Sequence, residues 1–318
     1  MKKLFTLLAL TITFSMNAQM SDNSSGTSAT GNNAVAMGDS TSASGFYSTA
    51  MGKQTTASGW YSTAMGFDTT ASGFYSIAMG YDTTASGGRS TAMGGGTTAS
   101  FDYATAMGKQ TTASGSRSTA MGDNTTASAQ SSTAMGASTT ASDYASLVIG
   151  QYNSSGSSVT NSATLFNTAN TAFVIGNGAD SSNKSDAFKV MFNGDATIGN
   201  DATIGNDLTV SGDVVVSSDA RLKSNIVSLG STLSRLLLID GKSYEMKGKQ
   251  KIGVLAQEIK EVFPELVTED DNEMLAVNYQ GLVPVLINAL KEQQSEIEIL
   301  KQQEKRLERL EQLVAQLD

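Results

Sequence analysis

The sequence predicts a mainly β protein: a stacked β-roll head and a β-rich stalk, then a small α+β domain and a C-terminal coiled coil. Three observations predict it. A fourteen-residue unit recurs through the first half of the 318-residue chain. Near the middle, Asp-Ala-Thr-Ile-Gly-Asn stands at 195–200 and again at 201–206. From Ser217 onward Lys, Glu and Leu rise sharply, and the last stretch shows the 4-3 apolar spacing of a coiled coil.

Composition narrows the function classes. The net charge of -9 argues against a nucleic-acid partner, which needs clustered Lys and Arg to neutralise phosphates. With no Cys and no His, disulfides and thiolate chemistry are excluded and a zinc site would have to be built from carboxylates alone. No metal or cofactor is expected. At the N-terminus Lys2 and Lys3 precede an apolar run from Leu4 to Phe14, and Ser15-Met16-Asn17-Ala18 reads as a cleavage region. Residues 1–18 are therefore expected to be a signal peptide, the run being short for a membrane span. No later segment reads as a transmembrane helix.

The repeat occupies residues 20–152. Met recurs at 37, 51, 65, 79, 93, 107, 121 and 135, each within Ala-Met-Gly, and Val148-Ile149-Gly150 holds the next register. The unit reads Thr-Ala-Met-Gly-x-x-Thr-Thr-Ala-Ser-Gly-x-x-Ser, as at 63–76. A period this short and regular indicates stacked units that cannot bury an apolar face alone. Thr, Ser, Ala and Gly suit the short strands and tight corners of a β-solenoid better than helices. Thr63 and Met65 alternate with Ala64, so Met65 and its equivalents are expected to form an interior ladder, with the small Ala positions free for packing between rods. At about 4.8 Å per rung, nine rungs make a rod on the order of 40 Å long. So thin a core buries little apolar area against the entropy of ordering it, which favours oligomerisation.

These repeats resemble the Ser-Val-Ala-Ile-Gly repeats of YadA-like trimeric adhesin heads over residues 33–152. The resemblance implies a left-handed parallel β-roll in a homotrimer. The chain departs from that family in using Met for Ile or Val and in showing no C-terminal membrane barrel, so autotransport is not expected.

Three readings of the head compete. It is a spacer; or an adhesive surface for a host or surface glycan or protein; or an ice-binding face. The adhesive reading rests on outward aromatics at Phe46-Tyr47, Trp60-Tyr61, Phe74-Tyr75, Tyr81, Tyr103 and Tyr144, although Arg89, Arg117 and Gln130 replace them in later rungs. The ice-binding reading rests on Thr pairs at 55/56, 69/70, 83/84, 97/98, 111/112, 125/126 and 139/140.

Residues 153–216 are expected to form the stalk. Ala172-Phe173-Val174-Ile175-Gly176 echoes the head repeat, and the six-residue period continues through Leu208-Thr209-Val210 and Val214-Val215-Val216. Such a period fits a β-prism or triple β-helix whose core exists only in a trimer, and it resembles phage tail-fibre stalks. The carboxylates at 195, 201, 207 and 213 read as solvated corners rather than a calcium site.

The boundary then carries Ser218-Asp219-Ala220-Arg221-Leu222-Lys223-Ser224-Asn225-Ile226. Ile252-Gly253-Val254-Leu255-Ala256-Gln257-Glu258, Val262-Phe263-Pro264-Glu265-Leu266-Val267, Ala276-Val277-Asn278-Tyr279 and Leu282-Val283-Pro284-Val285-Leu286 follow. Together these resemble the endosialidase-type intramolecular chaperone, a self-cleaving domain that caps phage tailspikes. The resemblance implies a chaperone domain at 218–285, with Ser218 as nucleophile, Lys223 as its base, and cleavage between Ser217 and Ser218. A Ser hydroxyl needs such a base, and a chain without His has few others. Asp219 and Arg221 are expected to brace the turn and Asn225 to assist at the carbonyl. Otherwise Ser218 is a capping residue and Lys223 a solvated one.

The tail, 286–318, places Leu286, Leu290, Gln293, Ile297, Leu300, Glu304 and Leu307 in 4-3 steps, followed by Leu310, Val314 and Leu317. The combined expectation is a secreted, surface-located trimeric fibre or adhesin. Its C-terminal domain aids assembly and cleaves itself once, without turnover on external substrates. The alternatives are an uncleaved fibre with a permanent assembly cap, a phage-type tail fibre or glycan-binding spike, and an ice-binding solenoid.

Overall fold

The computed structural model describes residues 20–21, 25–204 and 208–316. The expected signal peptide, Asp207 and Leu317 lie outside the described residues. The protein is mainly β and divides into two compact units, residues 1–208 and 209–318.

The first unit is a β-solenoid. Each turn supplies one five-residue strand, such as Thr63–Phe67, and one two-residue strand, such as Thr70–Ala71. The long strands stack in parallel into one sheet and the short strands into a second. Register is strict: Ala64 pairs with Ala78, Met65 with Met79 and Gly66 with Gly80. Glycine after Met is obligatory on two grounds. Gly66 has φ 126, and a Cβ there would lie 2.0 Å from the carbonyl oxygen of Gly80 on the next rung.

The structure reverses the expected facing of the long strand. Ala50, Ala64, Ala78 and their equivalents are fully buried, whereas the Met residues are half-buried on the outer face. The alternation was legible but its sense was not. A coil closed in fourteen residues encloses only small side chains, so Met must point out. The small Ala positions are consequently occupied inside and are not available for contact between rods. What the outer face offers instead is a ladder of Thr and Met.

The interior holds Ser and Thr as well as Ala. Ser62 Oγ donates to Gly59 O at 2.7 Å and Ser76 Oγ to Gly73 O at 2.8 Å, each closing a corner. The first Thr of each pair, from Thr55 to Thr139, is fully buried, and its Oγ1 has no hydrogen-bond partner. Only the second Thr of each pair reaches the surface. The paired outward ladders required for the ice-binding reading are therefore absent.

The sheet continues beyond residue 152. Thr171–Asn177 pairs in parallel with Leu147–Gln151, and Asp186–Met191 and Ala196–Ile198 add antiparallel strands. The intervening chain closes the open end. Asn153 accepts from Thr140 N at 2.8 Å and donates to Thr140 O at 2.9 Å, standing in for a further short strand. Buried Asp143 accepts from Thr160 N and Thr171 N. The second copy of the six-residue repeat forms no strand among its described residues, and Ile204, Leu208 and Val214–216 are exposed.

The second unit is the small α+β region. Hairpins Lys242–Met246/Lys249–Gly253 and Val267–Glu269/Leu275–Val277 accompany the helices Leu233–Leu236, Ala256–Val262 and Leu282–Val314. Its core gathers Ile259, Phe263, Leu266 and Val285, with Leu236, Val254, Val277 and Leu282 around them. The sequence motifs thus supply part of this core, Phe263, Leu266 and Val285 among them. Val254 N also donates to the Tyr279 hydroxyl at 3.3 Å, tying two of them together. The long helix starts inside this domain: Val285 and Ala289 are buried, and Pro284 sits in the first turn, where its missing N–H costs nothing. Beyond them Leu290, Ile297, Leu300 and Leu307 are exposed.

Candidate functional site

Residues 213–219 have no regular structure and lead into the short 3-10 helix Ala220–Leu222. Asp219 caps it. The carboxylate accepts from Arg221 N at 2.8 Å and from the guanidinium of the same residue at 2.7 Å. That clamp holds Asp219 below the ordinary carboxylate range and raises Arg221. It also sets the pitch of the turn, so that five residues bring the chain back on itself.

Across this turn Lys223 Nζ donates to Ser218 Oγ at 2.8 Å. The two residues lie within reach of a direct proton transfer. Both are exposed, as is Ser217. Asn225 takes a left-handed conformation, φ 52, which Asn tolerates better than most residues, and it hydrogen-bonds neither pair. The structure therefore brings together Ser218 with Lys223 and Asp219 with Arg221, and leaves Asn225 shaping the turn that follows. Among the described residues no cluster of carboxylates is arranged to hold a metal.

The head presents a second candidate surface. Tyr47, Tyr61 and Tyr75 stack one above another, with centroids 5.3 and 4.8 Å apart and planes within 12°. Arg89 continues the column, 5.8 Å from the ring of Tyr75 and 5.2 Å from that of Tyr103. The arginine that breaks the aromatic pattern in sequence is thus a cation–π spacer in space. Beside this column Phe46, Trp60 and Phe74 form a tilted row. Sequence reasoning missed Phe67, which stacks on Tyr81 at 5.5 Å with planes 6° apart. Its position fourteen before Tyr81 is the signal that finds it.

Comparison with known families agrees with this layout. Residues 25–153 match the YadA head domain repeat in successive stretches, and residues 218–268 match the chaperone of endosialidase. These are the two families that the motifs resemble. Together they support a trimeric adhesin or fibre fitted with an assembly chaperone. No curated protein matches the chain. Among the described residues no helix is long and apolar enough to cross a membrane.

Proposed function

We propose that the protein is a secreted homotrimeric fibre of the cell surface, with an adhesive head and a C-terminal domain that assembles the trimer and then severs itself between Ser217 and Ser218. The observation that carries the cleavage is the 2.8 Å contact between Lys223 and Ser218. Attack by Ser218 Oγ on the carbonyl carbon of Ser217 expels the Ser218 amine and leaves an ester, which water then hydrolyses. Lys223 takes the hydroxyl proton and returns it to the leaving amine. Only a neutral amine can do this, and desolvation favours the neutral form. Both residues are exposed in the single chain. Burial by neighbouring protomers would arm the pair, so that cutting reports a completed trimer.

Trimer formation has its own support. The half-buried Met face of the head, the exposed Val214–216 and the exposed Leu290, Leu300 and Leu307 of the tail are all apolar surfaces with no cover in one chain. A trimeric stalk that includes Val214–Val216 and a coiled coil beyond Ala289 would cover the last two. The test is the solution molar mass of the full chain by light scattering. Three chains are expected, and a monomer contradicts the assembly reading.

A further inference from the structure

At the C-terminal end of each long strand two exposed residues stand together at a corner: Phe67 with Asp68, Tyr81 with Asp82, Lys109 with Gln110. At one intervening rung both are glycine. Tyr81, Gly95 and Lys109 are in register on successive rungs. Gly95 and Gly96 form the floor of an open notch of about 340 Å³, walled by Tyr81 and Asp82 on one side and Lys109 and Gln110 on the other. Phe67 covers one face of the Tyr81 ring; on the other side the next rung contributes no side chain. Tyr61, by contrast, is covered on both faces by Tyr47 and Tyr75. Adjacent rungs lie about 4.8 Å apart, so the gap between the Tyr81 and Lys109 rungs is about 10 Å, room for a single ring.

We propose that this notch is a saccharide subsite, taking one gluco-configured pyranose of a β-linked glycan. This rests on the adhesive reading of the head and gives it a ligand class. Such a sugar has all its ring hydroxyls equatorial and a flat face of C–H bonds, which packs on the electron-rich face of Tyr81. Its hydroxyls meet the Asp82 carboxylate and the Gln110 amide, both exposed. The Lys109 stem closes the opposite side, with its ammonium 3.7 Å from Asp123. An aromatic side chain of a protein partner would fill the same gap but leave this polar rim unused.

The test is saturation-transfer NMR on the full chain with cellohexaose and with chitohexaose. The parent should transfer saturation to the sugar C–H protons of at least one of them. Tyr81→Ala should weaken binding at least tenfold. Gly95→Tyr should abolish it by completing the ladder, because nothing lies within 4 Å of a Cβ at Gly95 and its φ is an ordinary one. Thermal melting of Gly95→Tyr verifies that the head is intact, and Tyr81→Ala decides the matter if it is not. Undiminished sugar binding by Gly95→Tyr would overturn the notch while leaving an adhesive head standing. Absence of transfer to both sugars would overturn the ligand class. Adhesion of beads coated with the parent to cells then reports separately on whether the head is adhesive at all.

Discussion

Lys223 reaches back across one 3-10 turn to donate a 2.8 Å hydrogen bond to Ser218 Oγ, and the Asp219–Arg221 clamp between them fixes that turn. Lys223→Arg separates the two roles this contact can have. A guanidinium preserves the donor but stays protonated, so it cannot accept the serine proton. The variant is expected to fold and assemble as the parent does and to remain uncut, read by gel and by molar mass. Cleavage at the parental rate would show that Lys223 is no base.

The outward Met ladder makes a prediction about assembly. Met93 pairs with Met79 and Met107 in the middle of the half-buried face. Met93→Glu would bring like charges from neighbouring protomers together at an apolar contact. The head of this variant should lose its trimeric association in light scattering or melt at a markedly lower temperature. An unchanged trimer with unchanged melting would place the protomer contact elsewhere.

The buried threonines predict a stabilising substitution. Thr97 is fully buried with its Oγ1 unpartnered, and an unsatisfied buried hydroxyl costs about 1–3 kcal/mol. Thr97→Val keeps the shape and removes that cost. The head should gain roughly 1 kcal/mol, seen as a higher melting temperature.

Acid sensitivity is expected from Glu292 on the long helix. Its carboxylate accepts from Ser231 Oγ at 2.5 Å, from Thr232 N at 2.5 Å and from Leu233 N at 3.3 Å, capping the helix Leu233–Leu236. The Ser231 bond first, then those backbone donors, hold it below its ordinary value of 4.5. A depressed carboxylate contributes stability that is fully present above the ordinary value and is lost as pH falls through the lower folded one. The parent should therefore lose stability below about pH 4.5, and Glu292→Gln should be less stable at neutral pH with a shallower acid loss. Parallel pH–stability profiles for the two proteins would show that the contact is not ionic.

Much of this architecture was legible in the sequence, because the repeat is regular and some of the motif residues, such as Phe263 and Leu266, form the core. The facing of the long strand was not. Alternation of Thr63, Ala64 and Met65 marks two faces, but hydrophobicity alone assigns Met to the interior, and only the perimeter of a fourteen-residue coil reverses that. Period two also left the Thr pairs undecided, since neighbours on a strand face opposite ways and one of each pair had to be inside. The contact between Ser218 and Lys223 was readable because its five-residue spacing is local. The Gly95–Gly96 notch was not, because the side chains that wall it stand fourteen residues before and after.

Self-cleavage between Ser217 and Ser218 can be read straight from intact mass. Purified parent and Ser218→Ala should be weighed side by side. The parent should yield a C-terminal fragment whose first residue is Ser218, and the variant a single unbroken chain. A trimeric parent that stays whole would contradict it and make the C-terminal domain a permanent cap. A fragment that persists in Ser218→Ala would assign the cut to another agent.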